Sequence, residues 1–327
     1  MKKRYLIFLS ISAAAILLFV LTVFPDKGSP KLKLSSPIPV ILKANTSKPF
    51  DFWSVIKRGV TEASREFDME FYFTGPEFEK DTELQAKIME EIIKDKPPLI
   101  ILAATEYEGM VKNVEDAVKA GIPVITIDSG VNSDVPISFI ATDNMEAGRK
   151  AGYAMSEILK KSDNRKIAIV SYVKNTATAI DRENGVRETT KDLEYLETRF
   201  CNGDRQKAYE ITLELIEKYN DLAGIIALNE PSALGVAQAI DDTGKKDTIK
   251  VVGFDNAPEE MEYLEKGVLK AIVIQKPFNM GYLSMKTAYE YLSGKTVETF
   301  INTGSLLITV ENMYHQELQE VLFPFGE

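Results

Sequence analysis

From Ile38 onward, short apolar runs alternate with longer segments whose apolar residues recur at helical spacing. Residues 99–102 (LIIL) and 124–127 (VITI) are continuous apolar runs, which are typical of strands covered on both faces. Residues 53–66 instead place their apolar side chains on one helical face. Strands that alternate with helices in this way favour a parallel sheet with right-handed crossovers and helices on both faces.

The alternation continues for about ten strands, which is more than one compact sheet of this kind holds, so we predict two similar sheets. No Gly/Pro-rich linker separates them, so we expect the chain to pass between the sheets through strand-like hinges. The predicted strands cover residues 38–42, 69–73, 99–102, 124–127, 138–141, 166–170, 195–200, 225–228, 249–252 and 271–275. The predicted helices cover residues 53–66, 82–93, 109–120, 144–160, 183–191, 205–219, 232–242, 258–266 and 278–292.

Composition excludes several classes of function. The 327 residues suggest about two globular domains. The formal charge of −10 argues against a nucleic-acid surface. Cys201 and His315 are the only cysteine and histidine, and no Walker loop, Cys-x-x-Cys or His-Glu-x-x-His motif is present. The sequence therefore predicts no enzyme, no metal site and no cofactor, and turnover of a bound ligand would contradict this.

The N-terminus carries three basic residues followed by an uninterrupted apolar stretch at residues 5–24. Twenty helical residues span about 30 Å, the thickness of a bilayer core, and the positive charges place the rest of the chain outside the cytoplasm. A secretory signal peptide is the competing interpretation, but the segment ends without a small-x-small cleavage site. We favour an uncleaved signal anchor at residues 1–24, and we predict a polar linker at residues 25–37.

Polar side chains recur at the predicted carboxyl ends of strands from both sets. They are Asp128, the pair Thr142–Asp143, Asn229, Asp255 and Gln275. If two sheets face each other, these ends line one cleft. Any one of these residues could instead be a helix cap or a turn residue. Gln275 is a poor cap and Asn229 is followed by Glu-Pro, so we do not expect all of them to be caps.

Aromatic and basic residues accompany these strand ends. Phe254 directly precedes Asp255, and an aromatic face beside a carboxylate suits a sugar, although Phe254 could equally be core and Asp255 a cap. Phe52 and Trp53 open the first helix, where Trp53 could also be a core residue. Arg182 is predicted to start a helix, where its charge opposes the dipole, so it is either a ligand residue or part of a surface ion pair.

Seven motifs are distributed over residues 38–310, nearly all of the chain after the linker. They are PFDFWSVIKRGVTEA, GIPVITIDSG, FIATDNMEAGRKAG, RENGV, ALNEPSALGVAQAI, VVGFDNAPEE and VIQKPFNMGYLS. Together and in this order, they resemble the ribose-type periplasmic sugar-binding proteins.

The resemblance implies a type I periplasmic binding protein fold. In that α/β fold, two Rossmann-like lobes with parallel sheets are joined by a three-segment hinge and close on a monosaccharide. The N-terminal lobe would comprise residues 38–142 and 276–304, and the C-terminal lobe residues 143–275 and 305–327. The crossovers would lie near Thr142, Gln275 and Gly304.

The family's ligand residues carry over to matching positions in this chain. Phe52 and Trp53 would lie against the sugar ring, and Asp128 and Asp255 would bind hydroxyl groups. Arg182, Asn229 and Gln275 match the family's arginine and amides.

The chain departs from the ribose-binding pattern at three places. Ser129 replaces an arginine, Ala103–Ala104 replaces an asparagine, and Lys43 ends the first strand. We include Lys43 among the candidate ligand residues, and we expect a related pentose, hexose or polyol rather than ribose. No metal ligands are predicted.

Two functions fit the resemblance. The first is an extracytoplasmic solute-binding protein that delivers a sugar to an ABC importer. The second is a membrane-anchored sugar sensor, a co-receptor whose closed form signals to a two-component histidine kinase or a chemoreceptor. Both work by ligand-driven lobe closure. An uncleaved anchor fits the sensor somewhat better. The related fold of lactose-repressor-type regulators carries an N-terminal DNA-binding domain, whereas this chain has an apolar segment there.

Overall fold

A computed structural model describes residues 34–45 and 51–318. They form two sheets with helices packed against them, which confirms the predicted α/β class with mostly parallel sheets. The strands are β1 Ile38–Ile41, β2 Phe71–Thr74, β3 Ile100–Leu102, β4 Val124–Ile127, β5 Ser138–Ala141, β6 Lys166–Ser171, β7 Glu194–Tyr195, β8 Arg199–Phe200, β9 Leu222–Ala227, β10 Lys250–Phe254, β11 Leu269–Ile274, β12 Phe300–Asn302 and β13 Leu306–Ile308. The helices are α1 Phe52–Phe67, α2 Thr82–Asp95, α3 Val111–Lys119, α4 Asn144–Ile158, α5 Ala177–Thr189, α6 Arg205–Lys218, α7 Glu230–Asp242, α8 Pro258–Glu265 and α9 Pro277–Leu292.

The first sheet has six strands in the order β12-β5-β4-β3-β1-β2, and every neighbouring pair is parallel. The second has the order β13-β11-β10-β9-β6-β7, with β8 also pairing with β6. Its strands are parallel except for β13, which runs antiparallel to β11. In both sheets the carboxyl ends of the parallel strands therefore lie along one edge, where loops can carry a binding site.

The chain passes between the sheets after β5, after β11 and after β12. These passages lie beside Thr142, Gln275 and Gly304. We call the part built on the first sheet the N-terminal lobe and the part built on the second the C-terminal lobe. The lobe boundaries given above remain predictions.

The central strands of each sheet are buried on both faces, whereas outer strands such as β2 and β12 are partly exposed. All residues of β1, β3, β4 and β9 are buried, as their continuous apolar runs predict. One large cluster of buried hydrophobic residues surrounds the second sheet. In a second cluster, residues of α2 and α3 pack against the first sheet. Close packing on both faces holds these central strands in place, so the positions of their carboxyl ends are well defined.

Close helix contacts through glycine recur in both lobes. In the N-terminal lobe, a Cβ on Gly59 of α1 would lie 2.1 Å from the Phe278 carbonyl oxygen of α9. In the C-terminal lobe, a Cβ on Gly148 of α4 would lie 2.2 Å from the Arg182 carbonyl oxygen of α5. Only glycine allows backbones to approach this closely.

Two local predictions were wrong. Helix α5 begins at Ala177, six residues before the predicted start, because the Thr176 side chain caps it by accepting from the Ala179 amide. Arg182 therefore lies inside the helix rather than at its N-terminus. The strand predicted at 195–200 is two short pieces, β7 and β8, which both pair with β6. Strands β12 and β13 were not predicted.

The predicted anchor at residues 1–24, and the linker up to residue 33, lie outside the described residues. Within residues 34–45 and 51–318, the length and apolar character that a bilayer span requires are found in no helix.

Candidate ligand-binding site

A cleft of about 940 Å³ lies between the carboxyl edges of the two sheets. It takes residues from both lobes and from the passages between them. All eight candidate ligand residues line it, namely Lys43, Phe52, Trp53, Asp128, Arg182, Asn229, Asp255 and Gln275. The topology therefore brings these side chains together, while their contacts with a ligand remain predictions.

A buried ion pair forms the N-terminal side of the cleft. Lys43 follows β1 and is only 1% exposed, and its Nζ lies 2.9 Å from Asp128 Oδ2. The same ammonium donates to Thr178 Oγ1 of the C-terminal lobe at 3.4 Å. Burial acts to lower the pKa of Lys43, but the carboxylates of Asp128 and Glu79 outweigh it, so the pKa is raised. Lys43 therefore stays charged, and its ammonium group contacts side chains of both lobes.

The aromatic pair at the start of α1 forms a wall of the cleft. The Phe52 and Trp53 rings meet edge to face with centroids 5.2 Å apart. Trp53 is 6% exposed, and its Nε1 donates to Glu79 Oε1 at 3.2 Å. The backbone amide of Phe52 donates to Glu230 Oε2 of the C-terminal lobe at 3.3 Å. The pair is thus held from both lobes.

Arg182 is held by contacts within the C-terminal lobe. Its Nε donates to Asn144 Oδ1 at 2.8 Å, and its Nη1 donates to the Leu228 carbonyl oxygen at 2.7 Å. Its guanidinium lies 4.7 Å from the centre of the Phe254 ring. Phe254 is fully buried and does not line the cleft, so the stacking role considered for it is wrong. The ring instead makes a cation–π contact with the Arg182 guanidinium, which helps to hold the arginine in place.

Asp255 and Gln275 form the hinge side of the cleft. Gln275 Nε2 donates to Asp255 Oδ1 at 2.7 Å, and the Glu230 amide donates to Asp255 Oδ2 at 2.9 Å. Burial raises the pKa of Asp255, and Arg182 and the Gln275 hydrogen bond oppose that shift without cancelling it. Gln275 Oε1 is buried and has no hydrogen-bond partner. Asp255 does not cap the next helix, because the N-cap of α8 is Ala257.

Asn229 is a helix cap, which the Glu-Pro that follows it did not lead us to expect. Its Oδ1 accepts from the Ser232 amide at 3.2 Å and from Ser232 Oγ at 2.6 Å. Pro231 lies in the first turn of α7, where a backbone N–H would have no acceptor within the helix, so the missing N–H of proline costs nothing. Asp143 likewise caps α4 by accepting from the Glu146 amide. Asn229 therefore combines a capping role with a place in the cleft wall.

Tyr172, Thr178 and Glu79 are among the cleft residues that the sequence analysis missed. Tyr172 directly follows β6, so the strand-end argument could have found it. Thr178 lies in the first turn of α5, whose start was misplaced, and it accepts from Tyr172 OH at 2.5 Å. Glu79 lies in the loop after β2, where nothing in the local pattern distinguishes it. Within the described residues, no group of three or more histidine, cysteine or acidic side chains could hold a metal ion.

Comparison with known proteins gives the family. The sequence model of the protein family described as periplasmic binding protein domain matches residues 41–296. The chain belongs to this family. It is a family of binding proteins rather than enzymes, and its name implies a location outside the cytoplasm. The resemblance predicted from the seven motifs is thereby confirmed.

Individual relatives of this periplasmic binding protein support the same assignment. The ribose import binding protein of Bacillus subtilis is 25% identical over 79% of this chain and 83% of its own length. A carbohydrate transporter solute-binding protein of Agrobacterium radiobacter, solved with D-arabinose, has a TM-score of 0.84 and 29% identity over 88% of this chain and 98% of its own. An ABC transporter solute-binding protein of Agrobacterium vitis, solved with D-fucose, has a TM-score of 0.83 and 31% identity over 88% and 100%.

Proposed function

We propose that this protein binds an uncharged monosaccharide outside the cytoplasm and delivers it to an ABC importer. The observation that carries the proposal is the cleft itself, where an aromatic pair faces buried hydrogen-bonding side chains from both lobes. Sugars present C–H faces that stack on aromatic rings and hydroxyl groups that both donate and accept hydrogen bonds. A pentose, a hexose or a related polyol fits this combination.

The charges in the cleft favour an uncharged ligand. Asp128 is neutralised by Lys43, and Arg182 lies close enough to Asp255 for each to affect the other's pKa. Glu79 adds a third carboxylate, so these five groups hold more acidic side chains than basic ones. A sugar acid or sugar phosphate would bring an anion to a cleft that has no uncompensated positive charge among these five groups, which is costly in a buried site.

The relatives support sugar import as the biological role of this protein. One is named a ribose import binding protein and two were solved as transporter solute-binding proteins with D-arabinose and D-fucose. The permease of an ABC importer is therefore the proposed partner, and closure of the two lobes is the signal that it would read. The sensor alternative has no comparable support, so we do not propose it.

The apolar stretch at residues 5–24 supports a further part of the proposal, which is attachment to the membrane by an uncleaved anchor. Cell fractionation with an alkaline carbonate wash tests it. An anchored protein stays in the membrane pellet at its full-length mass, whereas release as a shorter soluble chain would contradict the anchor and leave the binding proposal intact.

The single tryptophan gives a direct test of binding. We expect the emission of Trp53 in the full-length protein to change saturably with one or more sugars from a panel of D-ribose, D-arabinose, D-fucose, D-glucose and simple polyols. Calorimetry on the same panel measures the affinities independently. Binding of ribose more tightly than all others would contradict the expectation drawn from Ser129 and Ala103–Ala104.

Replacing Trp53 by phenylalanine supplies the control. The variant keeps an aromatic ring in the wall but removes the fluorescence signal, so calorimetry has to report its binding. The wild-type protein must first be shown to be folded by circular dichroism. If it then gives neither binding heat nor an emission change with any sugar of the panel, the proposed function is contradicted.

A further inference from the structure

The cleft contains two buried oxygen atoms whose hydrogen-bonding capacity is unused. Among its described side chains, the buried polar atoms without a hydrogen-bond partner are Glu79 Oε2 and Gln275 Oε1. Both are acceptors, and they come from different sheets, since Glu79 follows β2 and Gln275 follows β11. Leaving a buried acceptor without a donor is costly, and the cost is greater for a carboxylate.

Two other buried carboxylates that line the cleft, Asp128 and Asp255, have their partners within the protein. Asp128 is paired with Lys43, and both oxygens of Asp255 accept hydrogen bonds. Glu79 is different, because one of its oxygens holds the Trp53 indole and the other accepts nothing. Burial raises the pKa of Glu79, while the Lys43 ammonium acts in the opposite direction. A hydrogen-bond donor on a ligand would therefore stabilise the Glu79 carboxylate by pairing with its free Oε2.

We propose that Glu79 is a specificity-determining ligand residue, whose Oε2 accepts a hydrogen bond from one hydroxyl group of the sugar while its Oε1 orients Trp53 against the ring. This inference rests on the proposed function and deepens it, because it assigns one carboxylate to one hydroxyl. The indole contact gives the second role. A tryptophan fixed by a hydrogen bond presents one face to the ligand and loses less rotamer freedom on binding.

The proposal makes a specific claim about ligand chemistry. A hydrogen bond from a hydroxyl group to a buried carboxylate is charge-assisted, and a sugar lacking that hydroxyl would leave Glu79 Oε2 unpaired in the complex. One position of the sugar ring should therefore matter much more than the others, and the discrimination should disappear when the carboxylate is removed.

The test compares E79Q with the wild type by calorimetry, using D-arabinose, D-fucose and D-ribose, and then the monodeoxy analogues of whichever of these binds most tightly. We expect E79Q to weaken binding of the parent sugar by roughly 10- to 100-fold, as for loss of a charge-assisted bond. One monodeoxy analogue should bind the wild type weakly and should lose little further affinity in E79Q.

Glu83 offers a matched control on the same segment. It is exposed in the first turn of α2, and E83Q makes the same change of net charge. We expect E83Q to bind every sugar like the wild type. Thermal unfolding checks the fold of E79Q, which should not be destabilised because a neutral amide is easier to bury than a carboxylate.

The outcomes separate this inference from the proposed function. Wild-type binding with unchanged affinity in E79Q would overturn the inference alone. Equal loss of affinity for every deoxy analogue in both proteins would also overturn it, because Glu79 would then be coupled to no hydroxyl group. Absence of sugar binding by the wild type would overturn the proposed function and the inference together.

Discussion

At the scale of single residues, Lys43 forms a buried ion pair in the cleft. Its ammonium and the Asp128 carboxylate are 2.9 Å apart, and both side chains are almost completely buried. Removing one partner leaves the other charge buried and unpaired. We therefore expect Lys43→Met to lower the free energy of unfolding by about 3–5 kcal/mol and to abolish measurable sugar binding. Urea denaturation and calorimetry measure the two effects.

An exposed ion pair and a double variant serve as controls for this prediction. Lys112 pairs with Asp116 on the surface of α3, so Lys112→Met should leave the unfolding midpoint unchanged. Adding Asp128→Asn to Lys43→Met removes the orphaned charge and should recover part of the lost stability. Equal losses in the single and double variants would show that packing of the lysine stem, and not its charge, stabilises this region.

At the scale of elements, the crossing of α4 and α5 positions the arginine of the cleft. A Cβ on Gly148 would meet the Arg182 carbonyl carbon and oxygen at 2.9 and 2.2 Å, so Gly148→Ala has to push α5 away. We expect this change to destabilise the protein by about 1–3 kcal/mol, because a well-packed interface tolerates extra volume poorly. Because it moves Arg182, it should also weaken sugar binding, which calorimetry measures.

Gly59→Ala in the other lobe separates these two effects. It makes the same kind of clash between α1 and α9, but against the Phe278 backbone, which lines no part of the cleft, and nearly two helical turns after Phe52 and Trp53. We expect similar destabilisation with a smaller loss of affinity. If both variants lose affinity equally, destabilisation of the whole protein and not displacement of Arg182 is the cause.

The start of α8 carries a pH-dependent contribution to stability. Glu260 is fully buried, its Oε2 accepts from the Ala257 amide, and its Oε1 has no partner. Burial, together with the nearby Glu230 and Asp255 carboxylates, raises the pKa of Glu260 well above its ordinary value. The folded state thus binds this proton more tightly than the unfolded state. The contribution is present below the ordinary pKa and is lost as the pH rises through the folded pKa.

Glu260→Gln tests this linkage, because glutamine keeps an acceptor for the Ala257 amide but carries no charge. We expect the variant to have the higher melting temperature at pH 8, and we expect the difference to shrink towards pH 4. Thermal unfolding at a series of pH values measures it. Parallel pH profiles for the two proteins would contradict the prediction.

At the scale of the whole molecule, hydrogen bonds between the two lobes affect how readily the cleft closes. The Phe52 amide donates to Glu230 Oε2 at 3.3 Å, and the Tyr107 amide donates to the Asn175 carbonyl oxygen at 2.9 Å. Glu230→Ala removes the first of these contacts. We expect a more open ligand-free ensemble and up to about tenfold weaker sugar binding, since closure then draws more on the ligand's binding energy.

Small-angle X-ray scattering with and without saturating sugar measures the opening. The control is Glu230→Gln, which retains an oxygen that can accept from the Phe52 amide and should behave more like the wild type. Unchanged scattering and unchanged affinity in Glu230→Ala would show that this contact follows closure without contributing to it.

The sequence by itself determined the two mostly parallel sheets, apart from β12 and β13, and most of the cleft residues at their carboxyl ends. Buried strands and amphipathic helices have periods that are read locally, and Asp128, Asp255 and Gln275 each follow an apolar run directly. Tertiary structure alone decided which partners these residues meet. Lys43 reaches Thr178 across 135 positions, and Arg182 is held by Asn144 from another helix. Glu79 reaches Trp53 from a loop without a periodic pattern. Such contacts depend on strand order and lobe closure, which no local pattern encodes.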